Sequence, residues 1–382
     1  MFKIGVIGLG TRIYNMVVPS FFAVSDEIII SAVTDIDVEG IKKKIEEKPE
    51  YFTKDIKVYT DADEMLEKEE LDGVVIGTRC NTHTDLAIKV LDKGLTLYLE
   101  KPVSTSIEEI EKLREASRKY NHKVVVSFPL RFSEIAVKVK DLIDKGEIGE
   151  VIQVEAHNDV PYGRVYFHDW YRDDGITGGL WLQKATHDFD YINYILGDTA
   201  KEVYATEIKK IFKGDKPAGL KCKDCPENKT CPESPYVIKN VYHDDIIGDW
   251  CCFAEDTGNQ DCGNAVVTYK NGVVANYSQN FFARHKARRR GARFYGYKGT
   301  LEFDWYDNEI NVYRHDSPRV DNYKYTKAGA AHFGGDNKLA TMFLEMLRGE
   351  TDKSYLDEGI QSALLCLMAK KSCETGEKVV ID

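Results

Sequence analysis

Residues 1–127 are held to one kind of fold by their hydrophobic rhythm. Short, almost wholly apolar runs recur at 2–7, 28–33, 58–59, 73–76, 95–99 and 123–126. Helical patterns separate them at 11–22 and 38–48 and through Leu86, Ala87, Val90 and Leu91, with Gly94 as the stop. A capping box, Ser106 and Glu109, opens the stretch carrying Ile107, Ile110 and Leu113. Strands apolar at consecutive positions must be buried on both faces, which requires a parallel sheet between two helical layers. Residues 1–127 are therefore expected to form a doubly wound domain with its ligand beyond the strand C-termini.

From Val151 the period falls to two, at 151–156, 265–269 and 273–278. Asn271-Gly272 is a hairpin turn, and Lys298-Gly299 joins another strand pair. Residues 128–382 thus read as an α+β domain with a large, mostly antiparallel sheet. The closing helix, with Ile360, Ala363, Leu364, Leu367 and Met368 at helical spacing, reads as packing and is able to fold back on the first domain.

The first strand runs into Gly8-Leu9-Gly10-Thr11-Arg12-Ile13. Gly8 allows a tight turn, and Gly10 lets backbone amides approach a pyrophosphate at the helix N-terminus. This is the Rossmann dinucleotide signature with its third glycine replaced by Ile13, which would hold helix and strand slightly further apart. Asp35 ends the second strand where an acid binds the adenosine ribose. A carboxylate there repels a 2′-phosphate, favouring NAD over NADP; otherwise Asp35 or Asp37 caps the next helix. After the fourth strand, Thr78, Asn81 and His83 are candidate cofactor contacts, with Thr82 as a helix N-cap the alternative. Arg79 in this loop has no explanation from the sequence. The fifth strand ends in Glu100-Lys101-Pro102, where proline breaks the strand and projects Lys101 into the crevice.

Charge narrows the partners. With 52 basic and 63 acidic residues the net charge is −11, unsuited to a phosphate backbone. No apolar run approaches the roughly 20 residues of a membrane span, and the start lacks the pattern of a signal peptide. Nine cysteines, mostly scattered, fit a reducing cytoplasm. Cys222, Cys225 and Cys231 read as a zinc site, with His243, Cys251, Cys252 or Cys262 as fourth ligand, as a disulfide, or as free thiols; no catalytic metal is expected. The basic run Arg284–Arg293 would split between two faces of a strand and pair with surrounding acids, an anionic sugar being its other reading.

Taken in order, Gly8-Leu9-Gly10, Glu100-Lys101-Pro102, Arg131-Phe132, Gly146-Glu147-Ile148-Gly149-Glu150-Val151, Gly178-Gly179 with His187 and Asp190, and Gly376-Glu377-Lys378-Val379-Val380 resemble the Gfo/Idh/MocA family of nicotinamide-dependent oxidoreductases. The resemblance spans nearly the whole chain. It implies a sugar or polyol substrate, catalysis by Lys101 and His187, an often cis bond before Pro102, and a homodimer or homotetramer built through the C-terminal sheet. Chemistry agrees, since alcohol oxidation needs a hydride acceptor and a proton acceptor. Gly8, Gly10, Thr11, Arg12, Ile13, Asp35, Thr78, Asn81, His83, Glu100 and Lys101 are the expected cofactor contacts. Lys101, Arg131, Trp170, Arg172, Gln183, Lys184 and His187 are the expected substrate contacts.

Gln183 departs from the family, many members of which have aspartate there. Glutamine is no base, so either Lys101 and His187 suffice, Lys184 joins them, or the reaction is not simple oxidation. The rivals are a hydrolase or lyase that oxidises transiently, and a non-catalytic dinucleotide sensor.

Overall fold

The computed structural model describes residues 1–119, 123–326 and 334–381. The chain divides into two compact units, each discontinuous in sequence.

The first unit comprises Met1–Lys138, Phe189–Ile195 and Lys327–Leu364. Its sheet has six strands: β1 (Phe2–Ile7), β2 (Ile28–Thr34), β3 (Phe52–Tyr59), β4 (Gly73–Ile76), β5 (Thr96–Leu99) and β6 (Val124–Val126). Their order is β3-β2-β1-β4-β5-β6, and every pairing is parallel. The order reverses between β1 and β4, the switch point where such sheets bind ligands. β3 extends well beyond its apolar run because it is an edge strand whose polar residues face outward. The helix Ala62–Lys68 leaves little periodic signal in the sequence, since it buries only Met65 and Leu66. The capping box forms as expected, Ser106 Oγ accepting from Glu109 N (3.1 Å) and Glu109 Oε2 from Ser106 N (3.2 Å).

Helix Gly335–Leu347 completes this core from the far end of the chain. Its Leu339, Phe343 and Met346 are buried with Ile4, Phe21 and Tyr98. Phe343 stacks on Phe21 at 5.3 Å and meets Tyr98 edge-on at 5.9 Å. Burial of one such side chain stabilises by roughly 1.5–3 kcal/mol.

The second unit comprises Val139–Asp188, Leu196–Thr326 and Leu365–Asp382. Nine strands form its sheet: β7 (Val151–Asp159), β8 (Ala200–Ile208), β9 (Cys262–Tyr269), β10 (Val274–Asn280), β11 (Arg289–Gly296), β12 (Gly299–Asp304), β13 (Glu309–Arg314), β14 (Val320–Lys324) and β15 (Val379–Val380). Their order is β14-β13-β12-β11-β7-β10-β9-β8-β15. Among these described strands only β7 and β10 pair in parallel. The Asn271-Gly272 hairpin is present, with Gly272 at φ 91°. One sheet face is buried through Val154, Ala156, Tyr277, Val267 and Phe294. The opposite face carries the row Glu302, Arg293, Glu155, Asn276, Val266 and Tyr204, a polar lattice with apolar spots. Among the described residues no helix is long and apolar enough to cross a membrane.

Candidate functional site

In the first unit the glycine turn is shaped by what glycine lacks. Gly8 has φ +84°, and a Cβ there would lie 2.8 Å from Thr78 N. Over Gly10 the nearest atom to such a Cβ is Gly77 O at 3.8 Å, so the turn is open to an incoming group. Ile13 finds its space elsewhere. It is fully buried, and a Cβ on Gly77 would come within 2.1 Å of Ile13 Cγ1. The bulk that replaces the third glycine is accommodated by a glycine at the end of β4. Gly77→Ala is accordingly expected to destabilise the unit by roughly 1–3 kcal/mol through overpacking, and Ile13→Ala in the same chain to recover most of it in thermal melts. Ile13–Val17 winds as a π turn before the helix Val18–Val24.

Asp35 ties into this turn. Its Oδ2 accepts from Leu9 N and its Oδ1 from Asp37 N, each at 3.0 Å. Asp37, not Asp35, caps the helix Val38–Glu47, accepting from Gly40 N. The carboxylate is thus fixed at the end of β2 beside the turn.

Arg12 and Glu100 are joined directly. Arg12 Nε donates to Glu100 Oε1 (3.0 Å), and the guanidinium also reaches Ser127 Oγ (3.1 Å) and Asp336. Burial acts to lower the Arg12 pKa, but Glu100 and Asp336 outweigh it and hold the cation above its ordinary range. Asp336 could not be found by local pattern, because it lies near the other end of the chain.

The next residues form the turn that carries the lysine. The Lys101–Pro102 peptide is cis. Buried His83 clamps it: Nδ1 lies 2.8 Å from Pro102 O and Nε2 3.2 Å from Thr78 O. Both partners are acceptors, so the neutral ring donates to one of them. Thr84 Oγ1 adds a bond to Val103 O (3.1 Å). Thr78 and Thr82 share a hydroxyl contact (2.6 Å), while Asn81 is exposed. Thr82 stands at the helix N-cap without a side-chain capping bond.

Burial lowers the His83 pKa from 6.5, against the two carbonyls, which raise it. The folded state therefore prefers the neutral ring, whereas the unfolded chain takes up a proton as pH falls below 6.5. Wild type is expected to lose stability relative to His83→Gln as pH falls through that window, measured by denaturant midpoints from pH 7.5 to 5.

Arg131 points inward within this unit. It is 5% exposed, donates to Asp190 through Nε (2.9 Å) and Nη2, and lies against the rings of Phe128, Phe132 and Tyr194. Burial pushes the Asp190 carboxyl up to about 6 despite this partner.

Gly178 and Gly179 of the second unit, both at positive φ, lead into a π turn at Trp181–Ala185 and then the helix Thr186–Leu196, whose residues Phe189–Ile195 count with the first unit. Gln183, Lys184, His187 and Asp188 are all buried. Lys184 Nζ donates to the Tyr162 hydroxyl (2.7 Å) and lies over the Tyr162 and Tyr166 rings. For Tyr162, burial would raise the pKa, yet Lys184 and Arg290 reverse this and lower it. Asp188, fully buried, accepts from Arg290 Nε (2.9 Å) and Nη2 (2.7 Å), Tyr277 OH (2.8 Å) and Asn158 Nδ2 (2.7 Å). This network next to His187 was not foreseen. Its signal was the alternation of β11, which turns Arg290 inward and leaves Arg289 outside.

Trp170 stacks on Tyr171 at 3.9 Å. Arg172 is buried and engages Asp256, Thr257 Oγ1 and Cys251 O, the work of a loop anchor. No disulfide joins any of the cysteines. Among the described residues no three His, Cys, Asp or Glu side chains stand together as a metal site.

Comparison with known proteins gives two family matches. Residues 2–128 match "Oxidoreductase family, NAD-binding Rossmann fold", and residues 136–302 match "GFO/IDH/MocA C-terminal domain". The Bacillus subtilis oxidoreductase YteT is 29% identical over 328 residues, covering 77% of this chain and 75% of YteT. Myo-inositol 2-dehydrogenase of Thermotoga maritima is 28% identical over 207 residues, covering 53% of this chain and 57% of that protein. Among solved structures, a levoglucosan dehydrogenase complex with NADH and L-sorbose superposes with TM-score 0.79 at 16% identity, covering 100% of this chain and 99% of the other. Myo-inositol 2-dehydrogenase from Lactobacillus plantarum gives 0.73 at 16%, with the same coverage. These two show the fold.

Proposed function

The chain belongs to the Gfo/Idh/MocA family of NAD-binding oxidoreductases, and from that premise we propose that it oxidises a secondary hydroxyl of a sugar or polyol, with Lys101 and His187 handling the hydroxyl proton. The observation that carries this reading is the tethering of Lys101. Its neighbour Glu100 binds Arg12 of the glycine turn, and its neighbour Pro102 is clamped by His83. The backbone that carries Lys101 is thereby held just beyond the C-terminal end of β5. The sequence relative named as a myo-inositol 2-dehydrogenase supports the substrate class.

The residues fit the cofactor. The open Gly10 turn would take the diphosphate and Asp35 the ribose hydroxyls; Thr11, Thr78 and Asn81 are further contacts in this reading. Bound NAD⁺ supplies the hydride acceptor. The chain's part is to hold the hydroxyl and take its proton on the Lys101 amine or the His187 imidazole. Gln183, which cannot take a proton, is left to donate or accept hydrogen bonds, and Lys184 keeps Tyr162 polarised on the substrate wall.

A panel of polyols and sugars, followed by NADH absorbance, tests this. Stoichiometric NADH from at least one of them supports it. Release of an aglycone without NADH accumulation would replace it with transient oxidation, and NAD binding without turnover of any compound would leave a sensor. Asp35→Ala is expected to weaken NAD⁺ binding about tenfold and to narrow its advantage over NADP⁺, read by fluorescence titration with the reduced cofactors. A homo-oligomer through the outer face of the second unit's sheet is part of the same proposal and is read by sedimentation.

A further inference from the structure

A cavity of about 420 Å³ lies wholly within the second unit, lined in part by Tyr162, Arg164, Arg284, Lys286 and Arg288. Its size falls in the range of small-molecule sites. Its charge is unusual for this chain. Four permanent cations line it, against the carboxylates of Asp244 and Asp245 among the described residues, on a protein whose net charge is −11.

The acids do not neutralise it. Arg164 takes Asp244 (3.2 Å), with Glu233 beyond the lining (3.2 Å). His285 stands 3.6 Å from the same Asp244. Arg284 spends Nη1 on the Phe281 and Ala283 carbonyls (2.8 and 2.9 Å) and forms no direct ion pair among the described residues. Burial and Arg164 lower its pKa even with Glu233 and Asp244 nearby. Arg288 lies over the Tyr306 ring (4.8 Å), and neither it nor Lys286 has an ion pair among the described residues. Behind the wall, Lys184 is 5% exposed and gives its ammonium to the Tyr162 hydroxyl rather than to a carboxylate. Tyr162, itself 42% exposed, therefore links buried Lys184 to the cavity lining.

We propose that this cavity seats an anionic group of the substrate, so that the enzyme prefers acidic sugar derivatives over neutral ones. Guanidinium forks pair with carboxylate or phosphate, and a sugar hydroxyl cannot replace that pairing. The sugar part of the inference rests on the dehydrogenase reading above; the charge preference rests on the cavity alone.

The test uses the NADH-loaded protein and matched sets: D-glucose, D-glucuronate and D-glucose 6-phosphate, and D-galactose with D-galacturonate. Calorimetry is expected to show at least one anionic member binding tenfold or more tighter than its neutral parent. That preference should collapse in the double variant Arg288→Glu, Lys286→Glu. Tighter binding of the phosphate or of the uronate identifies which anion is held. Equal or weaker binding of every anionic member overturns the proposal, as does a preference that survives the double variant. Turnover is read separately with NAD⁺. Selective anion binding with no NADH from any sugar keeps the cavity and removes the dehydrogenase reading. NADH from neutral polyols with no anion preference does the reverse.

Discussion

Replacing Lys101 with alanine is expected to lower kcat by roughly 10²–10⁴-fold, the usual contribution of a positioned proton-transfer group. NADH binding, followed by fluorescence titration, should change far less, because the dinucleotide turn is built by Gly8, Gly10 and Asp35. Lys101→Arg separates charge from proton exchange. Arginine keeps the cation yet does not give up its proton near neutral pH, so it should not restore turnover. Recovery of activity in Lys101→Arg, or full kcat in Lys101→Ala, would remove the amine from the chemistry.

The second large effect concerns stability. Arg131 and Asp190 form a buried pair, 5% and 0% exposed, with aromatic rings around the guanidinium. Arg131→Leu leaves an uncompensated buried carboxyl, and Asp190→Asn leaves the buried cation with only the more distant Glu358 at 3.9 Å. Removing one partner of such a pair typically costs about 3–5 kcal/mol. Either variant should lower the urea midpoint by about 1 M or more, followed by far-UV circular dichroism because all four tryptophans lie in the second unit. The double variant Arg131→Leu, Asp190→Leu should recover much of the loss, since apolar replacement of both charges also removes their desolvation penalty. Single variants as stable as wild type would show that the pair is hydrated in solution.

Much of this was legible in the chain because the relevant physics is local. The double-sided burial of β1, β2 and β4 appears as consecutive apolar residues, and the capping box at Ser106 as two side chains three apart. The glycine turn and the Lys101–Pro102 step are short motifs whose backbone needs dictate their residues. What escaped was set by partners remote in sequence. Nothing near Arg12 announces Asp336, and nothing near Arg172 announces Asp256. An arginine motif reads alike whether its fork meets ligand or protein. Most of the edge strand β3, ahead of Val58-Tyr59, escaped for another reason: its outer face is solvated, so apolar content alone does not reveal it.

The pairing of Ile13 with Gly77 has a consequence for how such chains are found. The steric vacancy that a dinucleotide fold needs at this junction is a property of two positions, one following β1 and the other following β4, and not of one fingerprint. A pattern keyed to three glycines in the first loop would pass this chain by, whereas one that scored the combined side-chain volume of the two positions would retain it.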